Sequence, residues 1–124
     1  ILCDQASGNT PAFGYIDTPS NNQFVDGFFE VFGWAFDFQS VLRVEVDVDG
    51  QVIGNAVYGL SRPDVPLQDP RVRSQFVGFS YIADTTKLSD SEHELVIYVV
   101  DRSNVRSEIG RRKFVVDNNV GTHQ

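Results

Sequence analysis

The residues best suited to contact chemistry are aromatic and lie close together. Phe28, Phe32, Trp34 and Phe36 recur at even positions, with Glu30 interrupting the row. On a strand they share one face, because successive side chains point to opposite sides. Such a row makes a flat apolar platform, suited either to stacking on the C–H face of a pyranose ring or to burial under another element. Phe29, Val31, Gly33 and Ala35 line the opposite side. One strand therefore carries two apolar faces, of which a core needs one. The other requires cover from a loop, a neighbouring domain, another subunit or a flat ligand.

No residue pattern signals catalysis. A catalytic site needs a nucleophile or an acid and base within hydrogen-bond reach in a cleft. Glu45 and Asp47 point to one face beside Arg43, where a solvated setting predicts unperturbed charges. His93 falls in a turn and His123 near the end of the sequence, so no histidine pair has metal spacing. Zinc is not expected. The lone Cys3 cannot bridge internally, and the sequence has no Cys-x-x-Cys, no glycine-rich phosphate loop and no Asn-x-Ser/Thr. The expectation is a chain that is not an enzyme.

The net charge of -7 and pI near 4.6 repel polyphosphate, so nucleic acid is not an expected partner. Arg102, Arg106, Arg111, Arg112 and Lys113 gather late, but Asp101 and Glu108 are interleaved with them. They read as a charged edge strand that discourages stray pairing. No apolar run approaches the roughly 20 residues of a membrane span. The absence of methionine predicts a processed or excised piece.

The elements that must position these groups are strands and turns. Residues 1–11 mix apolar, polar and breaker residues without period, as do 119–124, and both read as tails or linkers around one domain at 12–118. A short extended segment at 13–17 precedes a turn at Pro19 to Asn22, and Asp26-Gly27 reopens the chain into the aromatic strand at 28–37. Leu42, Val44, Val46 and Val48 alternate with Arg43, Glu45, Asp47 and Asp49, the pattern of a half-buried strand. Asp49-Gly50 predicts a tight hairpin returning through 51–58. Pro63, Pro66 and Pro70 exclude a long central strand from 59–75, leaving a long loop. Residues 77–84, 94–101 and 107–117 supply three more strands. Asp17, Asp49, Asp84 and Asp90 read as turn residues whose carboxylates bond nearby amides. The fold class is all-β, a two-sheet antiparallel β-sandwich of about seven strands without helix, with a closed barrel as the alternative.

Several segments, in order, resemble the immunoglobulin-like domains of bacterial secreted and cell-surface proteins. They are Gly14-Tyr15-Ile16-Asp17 with Pro19, Val31 to Asp37, Val44 to Gly50, Tyr58-Gly59 with Arg62-Pro63-Asp64-Val65, Asp84-Thr85-Thr86, His93-Glu94-Leu95, Asp101, and Ile109-Gly110 with Val116-Asp117-Asn118. The chain departs from that pattern at Phe28 and Phe32, where such domains commonly carry small or polar residues. An immunoglobulin-like path implies that Asp37, Arg62, Asp64 and Asp101 lie near one end, as a structural ion-pair cluster or, alternatively, as calcium ligands. The resemblance also implies an extracellular or cell-surface module without catalysis. It would act as a spacer or a contact to other domains or copies of the same protein, through Phe28, Phe32, Trp34 and Phe36. In the assembly version of that reading, Ile1 and Leu2 add to a neighbour's sheet edge. The alternative is a carbohydrate-binding module that stacks a polysaccharide on Trp34 and its neighbours.

Overall fold

The computed structural model describes residues 11–118, so the readings placed on Ile1, Leu2, Cys3 and His123 lie outside the described residues. The described chain forms β1 (Phe13–Thr18), β2 (Gln23–Val25), β3 (Phe28–Phe36), β4 (Val41–Val48), β5 (Gln51–Ser61), β6 (Phe76–Asp84), β7 (Glu92–Asp101) and β8 (Arg106–Val116). One helical turn, α1 (Asp64–Gln68), follows β5, and a 3-10 turn at Thr85–Lys87 follows β6.

The strands join into one mixed sheet in the order β1-β3-β6-β5-β4-β7-β8-β2, curled so that β1 returns against β8. This corrects the expectation of seven strands in two separate layers. The cause is β5, which outruns its predicted end at Tyr58. Its first half pairs with β4, Val44 opposite Ala56, and its second half with β6, Val57 opposite Ser80. No break therefore divides the sheet. Every pairing is antiparallel except that of β2 with β8. In sequence, β1 and β2 run beside β8 in the same direction. Arg112 Nη2 donates to the Ile16 carbonyl at 2.8 Å, the Asn22 amide to the Lys113 carbonyl at 2.7 Å, and Val25 lies opposite Val116. β8 is thus flanked on both sides, and its arginines do not mark an edge strand.

The core fills the inside of the curl. Alternation turns Val44, Val46 and Val48 of β4 inward beside Leu95, Ile97 and Val99 of β7, and Val31 and Ala35 of β3 face them with Ile16, Phe79 and Phe114. Fully burying each large member contributes about 1.5–3 kcal/mol, and the β-branched majority suits a pleated surface. Asp49 and Gly50 adopt positive φ of 56° and 88°, the backbone of a two-residue hairpin turn. At the same end of the sheet Thr85 Oγ donates to the Gly27 carbonyl at 2.6 Å, and the Gly27 amide donates to Asn118 Oδ1 at 2.7 Å. These bonds tie the start of β3, the 3-10 turn and the end of β8 together.

β1 lies unusually close to β3. A Cβ at Gly33 would collide with the Tyr15 carbonyl oxygen, and one at Gly14 with that of Trp34. Glycine at both positions lets the backbones close up and sets Tyr15 opposite Trp34.

Candidate functional site

The second apolar face of β3 is covered in part by the chain itself. After β5 the Arg62 amide donates to the Gln75 carbonyl at 2.6 Å, closing the proline-rich loop at its base. Pro63 opens α1, suited to a first helical turn because its fixed φ is helical and it needs no donor. The turn points Val65 inward, and Val65, Val72 and Val77, each no more than 2% exposed, form a small second core against which Phe13, Trp34 and Phe36 pack. The Phe13 ring meets Trp34 edge-on at 6.0 Å and Phe36 at 5.8 Å, and Phe36 meets Phe38 at 5.0 Å. The Arg71 guanidinium caps Phe13, 4.0 Å from its centre, a cation–π geometry.

The four aromatics named from the sequence therefore do not form one platform. Trp34 and Phe36 join the loop core, Phe32 is half-buried, and Phe28 is 70% exposed. Glu30, accepting from Ser80 Oγ at 2.6 Å, separates Phe28 from the rest. Val57, Phe76 and Ile82, between 57% and 63% exposed, lie on the neighbouring strands.

A groove of about 550 Å³ opens along β1, β3 and the loop, within the usual range of ligand sites. Its aromatic wall is Phe13, Tyr15 and Trp34, and its polar rim is Asp17, Arg62, Asp64, Gln68, Asp69 and Arg71. Tyr15 is 54% exposed. Arg62 crosses the sheet, its stem packed over Gly78 where any side chain would obstruct it. Its Nη1 donates to Asp17 at 2.7 Å, and its Nε and Nη2 donate to the two oxygens of Asp64 at 3.1 and 3.0 Å. Arg71 grips Asp69 in the same forked way at 3.0 and 2.7 Å. The hydrogen bond from Arg62, its charge and nearby amides hold the Asp64 carboxyl below the usual range, and Arg71 does the same for Asp69. A second cavity, about 180 Å³, lies between the arms near Phe29, Tyr81 and Leu88, with only Asp84 and Lys87 charged in its lining.

The cluster of Asp37, Arg62, Asp64 and Asp101 expected from the resemblance divides in two. Arg62 makes its bonds to Asp17 and Asp64, so Asp17 is an ion-pair partner rather than a turn residue. Asp37 and Asp101 instead hydrogen-bond to each other, 4% and 1% exposed. Asp37 Oδ1 accepts from the Gln39 amide at 2.7 Å, and Asp101 Oδ1 accepts from the amides of Ser103 and Val105. Asp37 Oδ2 is buried without a protein donor, and a hydrogen bond between two carboxyls requires a proton on one of them. Burial pushes Asp37 up to about 6, the Gln39 amide opposes this, and the bond and charge of Asp101 add to the rise. Backbone amides, that of Val105 foremost, hold Asp101 low. Among the described residues no group of three or more His, Cys, Asp or Glu is placed to hold a metal ion, which leaves calcium without a ligand set there.

Two other sequence readings change. Glu45 and Asp47 are buried, not solvated, because β8 brings Arg106 over the face: Arg43 and Arg106 donate to Glu45 at 2.8 and 2.9 Å. Burial pushes the Glu45 carboxyl up, but these bonds and charges outweigh it and hold it low. His93 does bond within its turn, Nε2 to the Ser89 carbonyl at 2.8 Å, but its Nδ1 also pairs with Asp49. Phe13, Tyr15 and Asp17 escaped the sequence reading as a set. Their signal was the same alternation that marked β3, repeated on a strand too short to draw notice.

No protein-family model matches the chain, and no curated protein matches it. Among solved structures it is similar to the endo-beta-1,4-mannanase from Thermotoga petrophila, at 18% identity over 94% of this chain and 22% of that one, with a TM-score of 0.65. It is also similar to the fibronectin(III)-like modules of CbhA from Clostridium thermocellum, at 19% identity over 87% of this chain and 47% of that one, with a TM-score of 0.61. The chain spans under half the length of either, and the likeness is one of fold. Among the described residues no helix is long and apolar enough to cross a membrane.

Proposed function

We propose that the chain is a non-catalytic accessory module of the bacterial immunoglobulin-like kind, belonging to an extracellular or cell-surface protein, and that it holds a polysaccharide in the groove between β1, β3 and the loop. One observation carries this reading. Tyr15, more than half exposed, stands opposite Trp34 in the groove wall, with fixed carboxylates and guanidiniums along the rim. Aromatic faces suit the C–H side of a pyranose, and charged acceptors suit its hydroxyls. The similarity of fold to part of a mannanase supports a place beside a carbohydrate-active enzyme. Of the aromatics named from the sequence, Trp34 stays in this site, Phe36 supports it from the loop core, and Phe28 and Phe32 stand apart. Tyr15→Ala is the test. It leaves the melting temperature nearly unchanged and abolishes retardation of the chain in native gels containing galactomannan, glucomannan or β-glucan. Retardation by any of these that survives the substitution would remove the groove from the proposal.

A second reading rests on a separate observation, the exposure of Phe28, Val57, Phe76 and Ile82 on one outer face. Here that face contacts another domain or copy, and Phe28→Asp lowers the sedimentation coefficient of an associated species. A chain that sediments as a monomer at every concentration would exclude self-association through it.

A further inference from the structure

The charges of the groove are already spent on one another. Arg62 donates through Nε, Nη1 and Nη2, all to Asp17 and Asp64, and Arg71 donates through Nε and Nη2 to Asp69. The other polar groups of the lining are uncharged: the Gln68 amide, the Tyr15 hydroxyl and the Trp34 N–H. Arg112, whose guanidinium lies 5.2 Å from the centre of the Tyr15 ring, is turned to the backbone carbonyls of Ile16 and Arg111 at 2.8 and 3.0 Å. The rim thus sets three carboxylates against two guanidiniums, in a chain whose net charge is -7. An anionic sugar, a uronate or a sulfate ester, needs a donor cation free to meet it. The N–H groups that Arg62 and Arg71 keep free stand beside the carboxylates these arginines already neutralise, so an anionic group reaching them would also face Asp64 or Asp69.

A hydroxyl makes the opposite demand. Each paired carboxylate oxygen keeps lone-pair capacity after accepting from an arginine, so the rim accepts O–H donors without giving up its internal bonds. The ion pairs also hold those acceptors in place, which limits the ordering cost of binding.

We infer that the ligand of this groove is an uncharged polysaccharide, recognised by hydroxyl donation to Asp17, Asp64 and Asp69 and by stacking on Tyr15 and Trp34, and not a uronic-acid or sulfated polymer. The inference rests on the glycan-binding reading and narrows it.

Trp34 is the single tryptophan of the chain and lines the groove, so its fluorescence reports occupancy directly. The experiment titrates the chain with galactomannan and glucomannan on one side, and with polygalacturonate and a sulfated galactan on the other. It does so at low salt and at about 1 M salt, where the Debye length is roughly 3 Å. The expected result is an emission change with the neutral polymers, with a midpoint that moves less than about twofold between the two salts, as binding without net charge requires. The anionic polymers give no change. A response to polygalacturonate or the sulfated galactan that high salt suppresses would overturn the inference while leaving a glycan site standing. Silence with all four polymers, or a neutral-polymer response undiminished in Tyr15→Ala, would instead bring down the glycan reading and the inference with it.

Discussion

Asp37 and Asp101 hydrogen-bond to each other inside the fold, a contact that needs a proton on one of them and that joins the turn after β3 to the turn after β7. Around it the Arg102 amide donates to the Ser40 carbonyl at 3.0 Å, and each carboxyl organises its own turn through backbone amides. Removing the proton would leave two buried charges facing each other, with the Tyr58 phenol as the neighbouring titratable group, itself pushed up to about 12 by burial and by Asp37.

Stability should therefore fall as this proton is lost. Asp37 has a folded pKa of about 6 against an ordinary 3.8, so its contribution is complete below about 3.8 and disappears as pH rises through about 6. The size is about 2–3 kcal/mol by linkage. Asp37→Asn places a permanent donor beside Asp101 and should flatten this part of the profile. Urea midpoints for both proteins across that range check it. A variant that loses stability in parallel with the wild type would show that the pair holds no proton.

His93 and Asp49 predict a second, separable pH effect. Burial pushes the His93 imidazole down, but its bonds to Asp49 and the Ser89 carbonyl and the Asp49 charge prevail and hold it up. Burial likewise pushes Asp49 up, and His93 with the Glu94 amide overrides it. The pair stabilises above the ordinary carboxylate pKa and below that of histidine. It is lost on the alkaline side as pH rises through the raised His93 value, and on the acid side as pH falls through the depressed Asp49 value. Asp49 is half exposed, so the contribution is about 1 kcal/mol. Comparing His93→Gln with the wild type at about pH 5.5 and about pH 8.5 should show a stability difference only at the lower value. An equal difference at both would mean that His93 acts by packing on Phe114, with which it stacks at 5.7 Å.

Trp34 and Tyr15 should separate stability from binding. Trp34→Ala opens a gap between Phe13, Phe36 and the loop core and should cost about 2–4 kcal/mol. Tyr15→Ala, at a more exposed ring, should cost under about 1 kcal/mol. Thermal and urea unfolding of the two variants measure this. Equal losses would mean that Tyr15 is held more tightly than its exposure indicates.

The parts of the fold that sequence reasoning reached are those governed by local rules. The alternation of Val44, Val46 and Val48 placed β4, and Asp49-Gly50 placed its hairpin. The double apolar character of β3 foretold a cover, with the proline-rich loop 59–75 among the candidates, but the residues that supply it, Val65 and Val72, are isolated among prolines and charges and did not single the loop out. What escaped depends on distant pairing. Arg62 meets Asp17 across 45 positions, Arg106 buries Glu45 across 61, and β2 is three residues whose extended form comes from β8. The resemblance set Asp37, Arg62, Asp64 and Asp101 near one end as a single cluster and did not foresee that Arg62 turns to Asp17. That depended on how far the Arg62 stem reaches over Gly78.

The parallel course of β1 and β2 beside β8 has a mechanical consequence. The path enters near Ala12, at the pole where β8 begins, and leaves near Asn118, at the pole where β8 ends. The eleven residues of β8 put roughly 30 Å between those poles. In a longer polypeptide, whatever precedes and whatever follows would be carried in line, like links pulled from opposite ends. The Tyr15 groove, lined by β1 and β3, would then run along the side of that line.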